Sequence, residues 1–185
     1  MAIIEIWWGN SEVANSEGMQ VQLGPTGYTL QGGLTRQEPP LTITAHYFVS
    51  PARMNFGSTR CVSQPVALFS GTLNVETRGS LLADGDPRTA ITHRLRQRVF
   101  LAGKQVAQSD IETEIADIKG DNKSKTVTLG PQAFAPAAFS VVAGSELRVD
   151  LIVELDPYYH KVRPGSVSYQ GLLQLPQWGI IHGVS

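Results

Sequence analysis

Residues 91–115 read ITHRLRQRVFLAGKQVAQSDIETEI. Arg94, Arg96 and Arg98 alternate along the first half, and Asp110, Glu112 and Glu114 alternate along the second. Successive side chains of a β-strand point to opposite faces, so each triplet occupies one face of its strand. The other phase carries Ile91, Leu95, Val99 and Leu101, then Ile111 and Ile115. Folding the chain back near Gly103 as an antiparallel hairpin predicts Arg98 opposite Asp110, Arg96 opposite Glu112 and Arg94 opposite Glu114. Two slipped registers compete. A turn at Gly103-Lys104 sets the arginines across from Ser109, Ile111 and Thr113, which brings carboxylates beside the apolar face. A further slip restores the faces but leaves Arg98 opposite Gln108. Exposed cross-strand ion pairs contribute roughly 0.2–1 kcal/mol each, so they specify alignment more than stability.

The same period of two recurs along the chain. Leu41, Ile43, Ala45, Tyr47 and Val49 alternate with Thr42, Thr44, His46 and Phe48. Leu147, Val149, Leu151, Val153 and Leu155 alternate with Arg148, Asp150 and Glu154. Shorter alternations occur at Ile4–Trp8, Met19–Leu23, Phe69–Val75, Lys125–Leu129 and Val167–Leu175, with a bulge expected at Gly71. Turn residues separate them, as in Gly24-Pro25-Thr26-Gly27, Asp84-Gly85-Asp86-Pro87 and Gly120-Asp121-Asn122. No long stretch carries a helical stripe between caps. The pattern predicts an all-β fold over residues 1–185, a single-domain antiparallel β-sandwich of which the jelly roll is one form. A closed β-barrel is the alternative.

With 185 residues, 42% hydrophobic and 17% charged, the chain can bury a full core. Net charge is −1, which supplies no general pull toward nucleic acid. The single cysteine, Cys61, forms no intrachain disulfide, and no apolar run has the length of a transmembrane helix. A cytoplasmic protein is expected, with export after loss of a signal peptide left open.

Catalytic patterns are absent. His46, His93, His160 and His182 are dispersed, and no H-x-H, H-E-x-x-H or cysteine pair accompanies them, so no metal or other cofactor is expected. There is no G-x-S-x-G and no phosphate-binding glycine loop. The acidic triplet is read as the partner of the arginines rather than as catalytic carboxylates.

Aromatic residues carry what functional signal there is. Trp7 and Trp8 are adjacent, so they face opposite ways; Ile4 and Ile6 side with Trp8 as the core residue. Trp7, on the face of Glu5, either meets a ligand or is covered by another element. Residues 156–165 (DPYYHKVRPG) combine aromatic and basic groups in an expected loop, with Tyr158, Tyr159, His160 and Arg163 as candidate ligand contacts. Trp178 adds a third tryptophan near the end. The favoured reading is a non-catalytic module that binds a carbohydrate or another small polar ligand through Trp7, Tyr158, Tyr159, His160, Arg163 and Trp178. One alternative is a cofactor-independent barrel enzyme with a hydrophobic cavity lined by Phe48, Phe69, Phe100 and Tyr169. Another is a structural subunit of a symmetric homo-oligomer.

Overall fold

The computed structural model describes residues 3–49, 59–77, 87–176 and 178–184. In chain order the strands are β1 (Ile3–Ala14), β2 (Met19–Gly24), β3 (Gly27–Leu34), β4 (Leu41–Val49), β5 (Thr59–Ser63), β6 (Val66–Glu76) and β7 (Arg88–Leu101). There follow β8 (Lys104–Lys119), β9 (Ser124–Thr128), β10 (Gln132–Ala133), β11 (Ala137–Val141), β12 (Leu147–His160), β13 (Val167–Gln174) and β14 (Trp178–Val184). No helix occurs among the described residues. The turn expected at Asp84-Gly85-Asp86 lies outside them.

One sheet has the order β11-β5-β14-β1-β4-β12-β7-β8; the other has the order β10-β6-β13-β3-β2, with β9 also paired to β6. Every pairing is antiparallel. The larger sheet ends at β11 and β8 without closing, so the fold is a β-sandwich and the barrel alternative fails. Inward phases meet between the sheets. Leu147, Val149, Leu151, Val153 and Leu155 of β12 pack with Tyr47 of β4, Leu95 of β7, and Phe69, Leu73, Tyr169 and Leu173 of the facing sheet. Full burial of such side chains contributes about 1.5–3 kcal/mol each, as an upper range. Phe69 and Tyr169 belong to this core, whereas Phe48 and Phe100 fall on the outer phases of β4 and β7. The hollow interior that the enzyme reading requires is therefore not formed by these four residues.

The charged hairpin takes the register that leaves Arg98 opposite Gln108, not the favoured one. Arg94 pairs with Glu112 and Arg96 with Asp110 across β7 and β8. Leu101 and Lys104 close a two-residue turn at Ala102 and Gly103, both with positive φ (49° and 78°). That is the sense of turn that matches the twist of a hairpin. A register shift between Val99 and Phe100, with Val106 as the extra residue, then restores the faces that a tight turn alone would invert. A third hairpin ion pair is unnecessary because β12 supplies carboxylates from the other side. Arg94 Nη1 lies 2.7 Å from Asp156 Oδ2, and Arg96 Nη1 lies 3.1 Å from Glu154 Oε1. Across the hairpin, Arg94 Nε to Glu112 Oε2 is 2.7 Å and Arg96 Nε to Asp110 Oδ1 is 2.6 Å.

Two further expectations change. No register shift occurs at Gly71; it stands directly opposite Gly171 on β13. A Cβ on Gly71 would lie 2.6 Å from the Gly171 Cα, so the pair marks a close backbone approach. Residues 156–160 are strand, not loop. Pairing of β12 with β4 ends at Leu155–Leu41, while pairing with β7 continues to His160–Arg88. Pro157 therefore comes after the last β4 pair, and its missing N–H interrupts no bond to β4.

Replacing Arg96 with Glu sets a carboxylate against Asp110 and the buried Glu154, and is expected to cost about 2–4 kcal/mol in urea unfolding. Adding Asp110→Arg should recover more of that loss than adding Glu112→Arg. Greater rescue by Glu112→Arg would contradict the register.

His93, on the inner phase of β7, is 4% exposed and meets the Phe69 ring edge-on, with centroids 5.0 Å apart. Burial pushes its pKa down from 6.5 to about 4. The unfolded chain thus binds the additional proton between those values. Stability from neutral His93 is complete above pH 6.5 and is lost as pH falls toward 4. Between neutral pH and about pH 4.5, wild type should lose on the order of 2 kcal/mol more than His93→Leu. Equal losses would show that the imidazole is not buried in its neutral form.

Candidate functional site

The outer face of the larger sheet is set by the register of four strands. Trp7 on β1 is opposite Phe48 on β4, Phe48 is opposite Arg148 on β12, and Arg148 is opposite Phe100 on β7. Strands lie about 4.8 Å apart, so this row crosses roughly 14 Å of sheet. Trp7 is 50% exposed and Phe48 is 38% exposed. Trp8 points the other way and packs partly buried against the core, its Nε1 donating to the Asn10 carbonyl at 2.8 Å.

A notch in the backbone seats the Phe48 ring. The β1–β4 register shifts between Trp8 and Asn10, leaving Gly9 at the irregularity. A Cβ added to Gly9 would stand 2.5 Å from two carbons of the Phe48 ring. At the other end, the Arg148 guanidinium carbon lies 4.0 Å from the Phe100 ring centroid, a cation–π contact that covers that ring. Arg148 Nε is also 3.1 Å from Asp150 Oδ1, an ionic contact in which the N–H is not aimed at the oxygen.

The adjoining row is polar. His46 stands between Asn10 and Asp150, and Asp150 stands opposite Arg98. His46 Nδ1 and Asp150 Oδ1 are 2.7 Å apart. Beyond that row comes the charged grid of Arg96, Arg94 and their carboxylates. Among the described residues Arg98 has no ion pair.

The far end of the face holds a second aromatic group. Tyr158 is exposed and stacks on His160 at an interplanar angle of 2°, with centroids 6.5 Å apart. Arg88 lies over the Tyr158 ring at 5.4 Å and pairs with Asp117 through contacts of 2.7 and 3.1 Å. That guanidinium holds the Asp117 carboxyl below its ordinary pKa. Tyr158, Gln37, Glu114 and Asp156 line a cleft of about 260 Å³.

The expected contact set is thus divided. Trp7 belongs to the first row. Tyr158 and His160 share the outer phase of β12, but Tyr158 is ten residues from Arg148, about 33 Å of strand. Tyr159 is removed from the set as a correction. It points inward, is buried, and donates its hydroxyl to the Leu34 carbonyl, and burial pushes its pKa up to about 12. Arg163 is exposed in the turn after β12, where its carbonyl accepts from Ser166 Oγ at 2.9 Å. The backbone of Trp178 pairs with Trp7 on β14, and its side chain lies outside the described residues.

Sequence reasoning missed Phe48, Phe100 and Arg148 as members of the row. A signal existed, since Phe48 shares its phase with Thr42, Thr44 and His46, and Phe100 shares its phase with Arg94, Arg96 and Arg98. An aromatic ring on a polar phase is a surface aromatic. Chemically, the arrangement can take the apolar face of a ring on Trp7 and Phe48 while its polar edge meets Asn10, His46 and Arg98. Among the described residues, no group of three His, Cys, Asp or Glu side chains is placed to hold a metal ion.

No family model matches the chain, and no curated protein matches it. Among solved structures it is similar to TmCBM61 in complex with β-1,4-galactotriose, at 12% identity over 94% of this chain and 86% of that chain, TM-score 0.35. It is also similar to TmCBM27, a carbohydrate-binding module described for mannan recognition, at 11% identity over 94% and 88%, TM-score 0.27. The N-terminal cellulose-binding domain of Cellulomonas fimi β-1,4-glucanase C matches at 8% identity over 81% and 88%, TM-score 0.23. Likenesses at these scores carry no weight for the ligand.

Gly9→Ala is expected to expel the Phe48 ring from its notch at a stability change of about 1 kcal/mol or less, because the displaced group is an exposed side chain. Wild-type protein should show nuclear Overhauser contacts between the Gly9 α-protons and the Phe48 ring. Their absence would contradict the seating.

Proposed function

We propose that this chain is a non-catalytic binding module that docks a neutral carbohydrate across the Trp7–Phe48 row. The observation that carries the reading is the pair itself: two large rings on adjacent strands, half and more than one-third exposed, with Phe48 seated over Gly9. A contiguous exposed apolar patch is characteristic of a docking surface. A sugar ring presents C–H groups on one face and hydroxyls at its edge. The first suits the rings; the second suits the Asn10, His46, Asp150 and Arg98 row beside them.

Charge balance favours a neutral ligand. Arg94, Arg96, Arg88 and Arg148 all have carboxylate neighbours on the face, so neither a polyanion nor a polycation finds a field of one sign. A flat row on a rigid sheet also suits an extended chain better than a small, enclosed molecule.

The test is affinity electrophoresis against glucans, mannans, galactans and xylans, followed by calorimetry on whichever binds. Trp7→Ala and Phe48→Ala should each weaken binding by about 10- to 100-fold, the scale of losing a central aromatic contact. Tyr158→Ala should leave it unchanged. Absence of binding to the whole panel, or undiminished binding by Trp7→Ala, would overturn the proposal. Loss on Tyr158→Ala instead would move the site to the far cleft.

A further inference from the structure

Between the sheets, at the edge where β8 of one layer approaches β9 of the other, lies a cavity of about 250 Å³. Phe69, His93, Ile115, Val127, Leu129 and Gln132 line it. The apolar members belong to the core or pack against it. Thr113, Glu114, Thr128 and Gln132 add polar groups to the lining, and of the polar members only His93 is buried. It is 4% exposed, and its Nε2 is buried without a hydrogen-bond partner. A buried polar atom left unsatisfied is an uncommon feature that calls for a physical reason. His93 borders a space that a partner can fill.

The chemistry of the lining narrows that partner. Desolvation keeps the imidazole neutral, so it offers one N–H and one lone pair rather than a charge. Phe69, Ile115, Val127 and Leu129 disfavour an ionic guest at the buried end, and Glu114 in the lining repels an anion. An apolar cavity of about 150 Å³ accepts benzene, so this one has room for a six-membered ring with one or two substituents. A hydroxyl satisfies Nε2 in either imidazole tautomer, because it both donates and accepts.

We infer that this cavity is a binding site for a neutral monocyclic alcohol or phenol, its hydroxyl bonded to His93 Nε2 and its ring against Phe69 and Leu129. The site opens between the layers, on the opposite side of the larger sheet from Trp7. Occupancy of one is independent of the other.

The probe is p-cresol, with toluene as the control that lacks the hydroxyl. Addition of p-cresol to the whole chain should shift the His93 imidazole ¹⁵N signals saturably and raise the melting temperature. It should bind at least fivefold more tightly than toluene. His93→Phe should reduce that preference to none, Leu129→Trp should fill the space and abolish both responses, and Trp7→Ala should change neither. A shift that does not saturate, or that persists undiminished in Leu129→Trp, would overturn the inference. So would equal affinity for p-cresol and toluene in the wild-type protein, a comparison that needs no variant.

Discussion

Two arginines on one strand, each held from both sides, align the face on which everything else depends. Arg94 and Arg96 lie on β7 with carboxylates from β8 on one flank and from β12 on the other. A surface ion pair alone contributes little. Glu154, however, is buried, and a buried carboxylate without its partner is costly. The cost of misalignment therefore exceeds the gain from any single pair, and register follows. The apolar alternation reinforces it, because a one-residue slip of β7 would send Leu95 outward and Arg94 into the core.

Alignment of β7 with β12 puts Phe100 beside Arg148. The β12–β4 ladder puts Arg148 beside Phe48, and β4–β1 puts Phe48 beside Trp7. The row is thus a consequence of long-range pairing, with no element of it formed by a local motif. Its two ends differ in chemistry. Arg148 covers the Phe100 ring, while Trp7 and Phe48 remain uncovered. The opposite side of the same strands buries a mostly apolar core, with His93 beside a cavity at its edge. One sheet consequently presents an aromatic platform outward and an enclosed polar atom inward.

Alternation made the layers legible in the sequence, because burial imposes a period of two that local reading detects. Leu147 to Leu155, Leu41 to Val49 and the arginine phase of β7 all fall as their spacing implies. The identity of each strand's neighbour was not legible. Nothing local to residues 91–115 announces that Glu154 and Asp156 complete the arginines, so the alternation alone points to a third hairpin pair that the structure does not form. The extra residue Val106 was equally hidden, since a bulge leaves no composition signal. β3 escaped notice because Gly27, Gly32 and Gly33 resemble turn residues. The mix of aromatic and basic groups over residues 156–165 reads as a loop, yet pairing with β7 carries the strand on to His160. Trp7 was legible from the adjacency of two tryptophans, whereas Phe48 and Phe100 required trusting the phase over the residue type.

The central claim, that the Trp7–Phe48 row is where ligand docks, is tested most directly by isotope-filtered nuclear Overhauser spectroscopy with a neutral oligosaccharide. Contacts between sugar ring protons and the side chains of both Trp7 and Phe48, with none to Tyr158, are the expected result. Contacts confined to Tyr158 and His160, with Trp7 and Phe48 silent, would contradict it.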